Sequence, residues 1–410
     1  MTREVKNLIV GLDIGTSKIV AVVAELTPEG RMDILGLGSH QESRGLKKGV
    51  VVNIEATVSA ISRVIQEAEL MADCKVKEVY TGIAGSHIRS FNSNGMVAIK
   101  DKDVSPMDVE RVIETARAMP IPSDQQILHI LTQEFIVDGQ DGVREPIGMS
   151  GVRLEVKTHI VTGAVSAAQN IVKCVRRCGL EVVDLVLQPL ASSIAVLTED
   201  EKELGVCLVD IGGGTTDIAI FTQGAIRHTA VIPIAGDQIT NDIAHALRTP
   251  TGEAEEIKQQ YGVATHQLAD DDEKFEVPGI GERPPRRLSK LALADVIEPR
   301  VTELYELIRA ELRRSGFQEL LSSGIVLSGG SSVMLGMVEL GEDIFHMPVR
   351  LGMPRYSGSL AEVVQHPRYA TAMGLLMEGM AQKKRGIQAH RTRTFRQVLG
   401  SMKSWFEKNF

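Results

Sequence analysis

The sequence has few aromatics, few cysteines and no long apolar run, and each shortage narrows what the chain is. Aromatic residues make up 4% of it, with one tryptophan, Trp405, so its core is aliphatic. At 43% hydrophobic the composition is too apolar for a disordered chain, and no collagen-like or low-complexity segment is present. The four cysteines, Cys74, Cys174, Cys178 and Cys207, include no Cys-x-x-Cys pair. Cys174 and Cys178 stand one helical turn apart, the spacing of core or helix-surface thiols, so a reduced, cytosolic chain is expected. The longest apolar-looking stretch, 185–197, is broken by Gln188, Pro189 and two serines. A spanning helix needs about 20 predominantly apolar residues, which excludes an integral membrane protein. The opening MTREVKNLIVGLD has too short an apolar run for a secretory signal. The GxxxxGK[ST] nucleotide motif is missing, and Gly36-Leu37-Gly38 lacks the third glycine of a dinucleotide fingerprint.

What is present is 410 residues, enough for two to four compact units with cores of their own. Net charge is −8, but residues 383–410 carry eight basic side chains against one acid, Glu407. That tail is +7, which leaves −15 on the preceding 382 residues. An acidic body with a basic appendage argues against a nucleic-acid partner.

Short strands alternate with helices from the start. Residues 8–12 and 19–24 read as strands around a turn, followed by an amphipathic helix over 54–71 and a strand at 79–83. The texture changes over 85–161. Ser105-Pro106-Met107-Asp108 has an N-cap serine, proline at the first helical position and an acid three residues on, a helix start. Residues 152–160 alternate apolar and polar as a half-exposed strand does. This region reads as an inserted α+β subdomain. A second α/β pass follows: a helix near Ser166, a strand at 182–187, a helix at 190–197, and strands at 206–211, 217–221 and 226–232. Residues 237–300 hold helices around an acidic, proline-bearing loop or hairpin rim. A helix over 297–314, a strand at 324–327 and a helix from Ser331 complete a third pass.

Three glycine-bearing turns stand out. Gly11-Leu12-Asp13-Ile14-Gly15-Thr16-Ser17-Lys18 lies between two strands, as does Asp210-Ile211-Gly212-Gly213-Gly214-Thr215-Thr216-Asp217. Ser328-Gly329-Gly330-Ser331 joins a strand to what reads as a helix start. Glycine lets backbone N–H groups approach phosphate oxygens, and Ser/Thr hydroxyls add donors. Carboxylates repel phosphate, so Asp13 and Asp210 make sense as holders of a hydrated Mg²⁺. Lys18 supplies a point charge, and Gly329-Gly330 offers N–H groups and a positive dipole end. One Asp-x-Gly turn is ordinary hairpin chemistry. Two near-copies almost 200 residues apart, with a third loop beside them, imply two related halves facing across a nucleotide cleft.

These motifs resemble the actin, sugar-kinase and heat-shock ATPase superfamily, whose two phosphate loops the hairpins match. Residues 325–337 resemble its adenosine loop, and 186–196 and 366–377 its two inter-domain connecting segments. Within that superfamily the whole chain resembles the FtsA family of bacterial division proteins. GLDIGTSKI, the insertion at 84–161, LVDIGGGTTDIAIF, ADVIEPRVTEL and the basic amphipathic C-terminus come in the family's order. The resemblance implies an α/β, actin-like two-lobed ATPase fold with an inserted α+β subdomain and a C-terminal amphipathic helix. It implies a first lobe of 1–83 with 162–203 and 360–382, an insertion at 84–161, and a second-lobe core of 204–228 with 305–359. The second lobe's upper subdomain is then 229–304, followed by a basic linker at 383–394 and a membrane-targeting helix at 395–410. ATP with Mg²⁺ is the implied cofactor, with Gly15, Thr16, Ser17, Lys18, Gly212, Gly213, Gly214, Thr215, Thr216, Gly329, Gly330 and Ser331 around the phosphates. Gly236, Glu255 and Lys258 fall where the superfamily flanks the adenine. Gln188 matches the position that orients the attacking water, beside Asp13 and Asp210; simple helix capping ahead of Pro189 is its other reading. Activity is at most that of a slow ATPase, secondary to assembly.

On a helical wheel Phe395, Val398, Leu399, Met402, Trp405, Phe406 and Phe410 share an arc of about 140°, bordered by Arg396 and Lys403. An apolar stripe with cationic flanks suits a helix lying among lipid headgroups, and the sole tryptophan suits that interface. A helix docked on the protein's own body is the competing reading. The family resemblance further implies partners: the C-terminal peptide of FtsZ at 229–304, contacting Arg286 or Arg300; other copies of the chain; later division proteins; and an anionic membrane surface. The implied location is peripheral, on the cytoplasmic face of the inner membrane at the division site. A PilM-like pilus-assembly ATPase and a small-molecule kinase on the same fold are the alternatives.

Overall fold

The computed structural model describes residues 7–384, apart from 28–29, 42–44 and 282. The stripe expected at 395–410, and all of the basic linker but Lys383 and Lys384, lie outside the described residues.

Two five-stranded sheets follow one plan. In the first, Leu8–Ile14, Lys18–Leu26 and Met32–Gln41 form an antiparallel meander, with Glu78–Ile83 and then Glu181–Leu187 added parallel on the other side. In the second, Val206–Ile211, Thr216–Thr222 and Ala225–Ile232 repeat the meander, with Ile325–Ser328 and Val349–Leu351 added parallel. The two central strands, LIVGLDI and VCLVDI, are buried almost throughout, so they read as continuous apolar runs without alternation. Even the register repeats: Asp13 faces Val20, and Asp210 faces Asp217.

Each sheet hands over to a connecting helix between the lobes. Gln188–Val196 follows the last strand of the first sheet directly, and Ala370–Lys384 follows the second after the segment 352–369, which holds the helical turn Ala361–Val364. An apolar cluster spans both lobes at these helices, joining Ile9 and Val22 to Leu208 and Val326 through Ala191, Ala195 and Met373. Separate clusters fill the remaining side of each lobe.

The first lobe is interrupted after Ile83 by a four-stranded antiparallel sheet in the order Arg89–Ala98, Arg153–Ala164, Gln125–Val137, Gln140–Val143. The helix Pro106–Arg117 covers it, and its expected start holds: Ser105 Oγ accepts from the Asp108 N–H, and the Asp108 carboxylate accepts from the Ser105 N–H. Such a box is worth about 1 kcal/mol. A polar seam ties this insertion to the second lobe. Gln133 Nε2 donates to the Ile226 carbonyl at 2.9 Å and Ser90 Oγ to the Thr229 carbonyl at 3.0 Å. The His159 ring sits between Asn92 Oδ1 and Thr229 Oγ1, at 2.8 and 2.9 Å.

Two expected helices are displaced. The helix placed at 297–314 begins at Lys290 and runs to Ser315 through Pro299, because Ser289 caps it at the Ala292 N–H and its buried face from Leu293 to Leu312 outweighs one lost backbone bond. The helix placed from Ser331 begins at Met337; Gly330–Val333 is a single 3₁₀ turn, and the extended Met334 and left-handed Gly336 separate the two. The acidic, proline-bearing stretch is a hairpin rim as expected, with strands Lys274–Val277 and Arg286–Ser289.

Candidate functional site

The two Asp-x-Gly hairpins close with the same bond. The Gly15 N–H donates to the Lys18 carbonyl at 2.9 Å, and the Gly212 N–H to the Thr215 carbonyl at 3.0 Å. Their tips meet face to face. A Cβ on Gly213 would stand 2.6 Å from Ser17 Oγ, and one on Gly214 would stand 2.7 Å from Thr16 Oγ1. Only glycine lets the second loop approach the first this closely. Ser17 at the tip is exposed, whereas the Thr215 and Thr216 hydroxyls point inward, donating to Asp217 Oδ2 at 3.0 Å and the Ile234 carbonyl at 2.8 Å.

Behind the tips lie the carboxylates. Asp13 Oδ2 pairs with Lys18 Nζ at 3.1 Å, and Asp13 Oδ1 accepts from Gln188 Nε2 at 3.1 Å. Lys18 also donates to the Arg368 carbonyl. Gln188 therefore does not cap its helix; its amide crosses to Asp13, in space that Gly82 leaves open, where a Cβ would stand 2.7 Å from Gln188 Cγ. Asp210 Oδ2 accepts from Ser192 Oγ at 2.5 Å, and Ser192 Oγ lies 3.0 Å from Thr371 Oγ1. Burial pushes the Asp210 carboxyl up and the nearby Asp13 charge adds to it, against the Ser192 and Thr371 hydroxyls and Lys18.

The third loop leans on the second. Gly329 has φ +86° and sits where a Cβ would be 2.4 Å from the Ile211 carbonyl oxygen and 2.5 Å from Asp210 Oδ1. Ser331 Oγ donates to the Gly212 carbonyl at 2.8 Å. Because only a 3₁₀ turn follows, Gly329-Gly330 does not stand at the start of an α-helix, which corrects the dipole expected there; Gly330 is exposed. Gly236 opens the helix Gly236–Leu247 and donates its N–H to the Gly212 carbonyl at 3.1 Å. Lys258, buried on Thr251–Tyr261, donates to the Gly236 carbonyl at 3.1 Å and Thr240 Oγ1 at 2.8 Å, and pairs with Glu255 at 2.7 Å. Burial pushes the Glu255 carboxyl up, but Lys258 with the bonds from Thr240 and Gln259 holds it below the ordinary value.

Arg286 and Arg300 lie apart from the cleft residues, on the strand Arg286–Ser289 and the helix Lys290–Ser315. Arg286 is exposed and donates to the Leu247 carbonyl, while Arg300 is held by Asp242 at 2.5 Å and by Glu303. The remaining expected group, Phe395, Arg396, Val398, Leu399, Met402, Lys403, Trp405 and Phe406, falls outside the described residues.

Sequence reasoning passed over Asp217. It is buried, its Oδ1 has no hydrogen-bond partner among the described residues, and burial together with Asp210 pushes its carboxyl up to about 7. An unsatisfied buried polar atom costs about 1–3 kcal/mol, so a third carboxyl at the cleft floor is a notable feature. The available signal was the duplication itself: the register partner that is Val20 in the first hairpin is an acid in the second.

Two lobes of one plan, with three loops meeting at the ends of their central strands, define the actin-like class. Solved structures agree on that fold. The PilM–PilN type IV pilus biogenesis complex matches with TM-score 0.66 and 20% identity, covering 92% of this chain and 99% of that one. MreB5 of Spiroplasma citri, described as bound to AMPPNP, matches with TM-score 0.54 and 15% identity over 95% of this chain and 99% of the other. The family model described as "Cell division protein FtsA" matches residues 207–374, and that of the "SHS2 domain inserted in FTSA" matches residues 85–162. The curated cell division protein FtsA of Pseudomonas aeruginosa is 60% identical over 98% of each chain, and that of Escherichia coli 44% identical over 99% of each. The chain belongs to the FtsA family.

Proposed function

We propose that this chain is an ATP- and Mg²⁺-binding, self-assembling division protein that tethers the FtsZ ring to the cytoplasmic face of the inner membrane and recruits later division proteins. The observation that carries the nucleotide reading is the meeting of the hairpin tips, Gly213 on Ser17 and Gly214 on Thr16, above Asp13 and Asp210. Glycine backbones, the Ser17 hydroxyl and Lys18 fit a polyphosphate. Asp13 and Asp210 fit a cation that keeps its waters, since no three His, Cys, Asp or Glu side chains converge as direct ligands among the described residues. The Gln188 amide donates to Asp13 at 3.1 Å, which supports the role of orienting a water. Mg²⁺ supplies charge neutralisation at the phosphates when bound; the chain's own part is to bind, orient and enclose.

In this reading the first lobe comprises 1–83, 162–203 and 360–382, the insertion 84–161 serves self-assembly or a later division protein, and 204–228 with 305–359 form the second-lobe core. Residues 229–304 receive the acidic C-terminal peptide of FtsZ. The exposed Arg286 is the better contact there, because Asp242 and Glu303 already neutralise Arg300. No helix of the described residues is long and apolar enough to cross a membrane. Membrane attachment therefore falls to the linker 383–394 and the stripe 395–410.

Each basic residue near an anionic surface contributes about 1 kcal/mol, which ordering the helix partly offsets. One tail then binds weakly, and several tails on a filament bind far more tightly through effective concentration. The test is sedimentation with vesicles containing anionic lipid, with and without Mg·ATP. The full chain co-sediments more with Mg·ATP, and a chain lacking 395–410 stays in the supernatant. Vesicle binding that survives the deletion rejects the tether.

A further inference from the structure

A small hairpin that sequence reading did not single out reaches the cleft from the side. Residues Leu46–Lys47 and Val50–Val51 pair antiparallel, and the two residues between them, Lys48 and Gly49, both have positive φ, +50° and +75°. That is the backbone of a tight hairpin turn, in which Asn or Gly ordinarily takes the first place. Here it is a lysine, in a conformation that costs an L-residue about 1–2 kcal/mol. The base of the hairpin is pinned to the helix Ile54–Ala72, because the Gly45 carbonyl accepts from the Val52 and Asn53 N–H groups at 2.9 and 3.0 Å.

The turn is wedged against both phosphate-loop candidates. The Gly49 N–H donates to Thr16 Oγ1 at 3.0 Å. A Cβ on Gly214 would stand 3.0 Å from Lys48 N and Cα. The second loop thus has an order along it. Gly212 faces Ser331 and Gly236, Gly213 faces Ser17, and Gly214 faces Thr16 and Lys48. In the nucleotide reading Gly236, with Lys258 and Glu255, flanks the base, so Gly214 marks the opposite, terminal-phosphate end. Lys18, which the nucleotide reading also gives to the polyphosphate, already has Asp13 and the Arg368 carbonyl as partners. Lys48 has no ion pair or side-chain hydrogen bond among the described residues and is half-buried.

We propose that Lys48 is the residue that reads the terminal phosphate, so that the Lys48–Gly49 turn makes this chain prefer a nucleoside triphosphate over the diphosphate. The inference rests on the nucleotide reading above. An ammonium facing the end of the polyphosphate interacts with the charge that ATP has and ADP lacks, while contributing little to the rest of the ligand. The turn also places the nucleotide's end beside the root of the insertion: a Cβ on Gly49 would stand 2.8 Å from Gly85 Cα, where the chain leaves the first lobe.

Calorimetric titration of the full chain with Mg·ATP and with Mg·ADP tests this. Lys48→Ala is expected to weaken Mg·ATP about tenfold and Mg·ADP less than about twofold, with Lys48→Arg restoring most of the difference. Lys48→Gly suits the positive φ, so it keeps the hairpin; it is expected to lose the ATP preference just as the alanine variant does. Equal losses for both nucleotides, or no loss for either, overturn the proposal. A wild-type chain that binds neither nucleotide rejects the nucleotide reading itself, a result distinct from binding that Lys48 does not influence.

Discussion

Gly374 lies so close to Ala191 that a Cβ built on it would stand 1.8 Å from the Ala191 carbonyl oxygen. This is where the connecting helix Ala370–Lys384 crosses Gln188–Val196, within the apolar cluster shared by both lobes. Gln188 and Ser192, which hold the two cleft carboxylates, are on one of these helices and Thr371 is on the other. The distance between the helices therefore sets the geometry of the cleft floor.

In an ordinary helix Gly→Ala is stabilising by about 1 kcal/mol. At Gly374 the opposite is expected: Gly374→Ala forces the helices apart and costs about 1–3 kcal/mol. Urea unfolding measures it as a lower midpoint at unchanged slope. A midpoint that rises would mean that the crossing tolerates separation.

The two loop glycines are expected to differ in rank. A Cβ at 213 meets side-chain atoms alone, Ser17 Oγ and Cβ on the exposed hairpin tip at 2.6 and 2.7 Å and Asp237 Oδ1 at 3.0 Å. A Cβ at 214 meets Lys48 backbone as well as Thr16. Gly214→Ala should therefore weaken Mg·ATP binding by tenfold or more, and Gly213→Ala by several-fold less. Titration of both variants checks the order, and a reversed order contradicts the packing.

His159 gives the seam between the insertion and the second lobe a pH response. Burial, then the neighbouring His228, lowers its pKa to about 4 from an ordinary value near 6.5. The unfolded chain takes up a proton there before the folded one does. Stability is full above about pH 6.5 and falls as pH drops toward 4, by up to about 3 kcal/mol. Urea midpoints at pH 7.5 and pH 5 should diverge more for the wild type than for His159→Gln. Equal pH dependence in the two would show that another group carries the response.

Much of the fold was legible where local chemistry and tertiary context agree. The central strands announce themselves as apolar runs ending in Asp-Ile-Gly, and Ser105 with Asp108 marks a helix start that the structure keeps. The helix through Pro299 was read as starting seven residues late, because proline is a local stop signal and the buried face that overrides it is a tertiary fact. The strands Arg89–Ala98 and Gln125–Val137 were not assigned, since the buried positions of the first are Ser93 and Gly95 and the second is half-buried almost throughout, so neither alternates apolar with polar. At the cleft, the residues carried by glycine-rich motifs were legible. Ser192, Asp217 and Lys48 were not, because each reaches the site only through a helix crossing, a strand register or a hairpin wedge that no short motif encodes.

The most direct test of the whole account uses the single tryptophan, Trp405, as its own reporter. Its fluorescence is measured with the full chain against vesicles containing anionic lipid, with and without Mg·ATP. The account predicts a blue shift that Mg·ATP strengthens, as assembled copies present their tails together. No shift in either condition would contradict it, removing the C-terminal stripe from the membrane and the nucleotide from control of attachment.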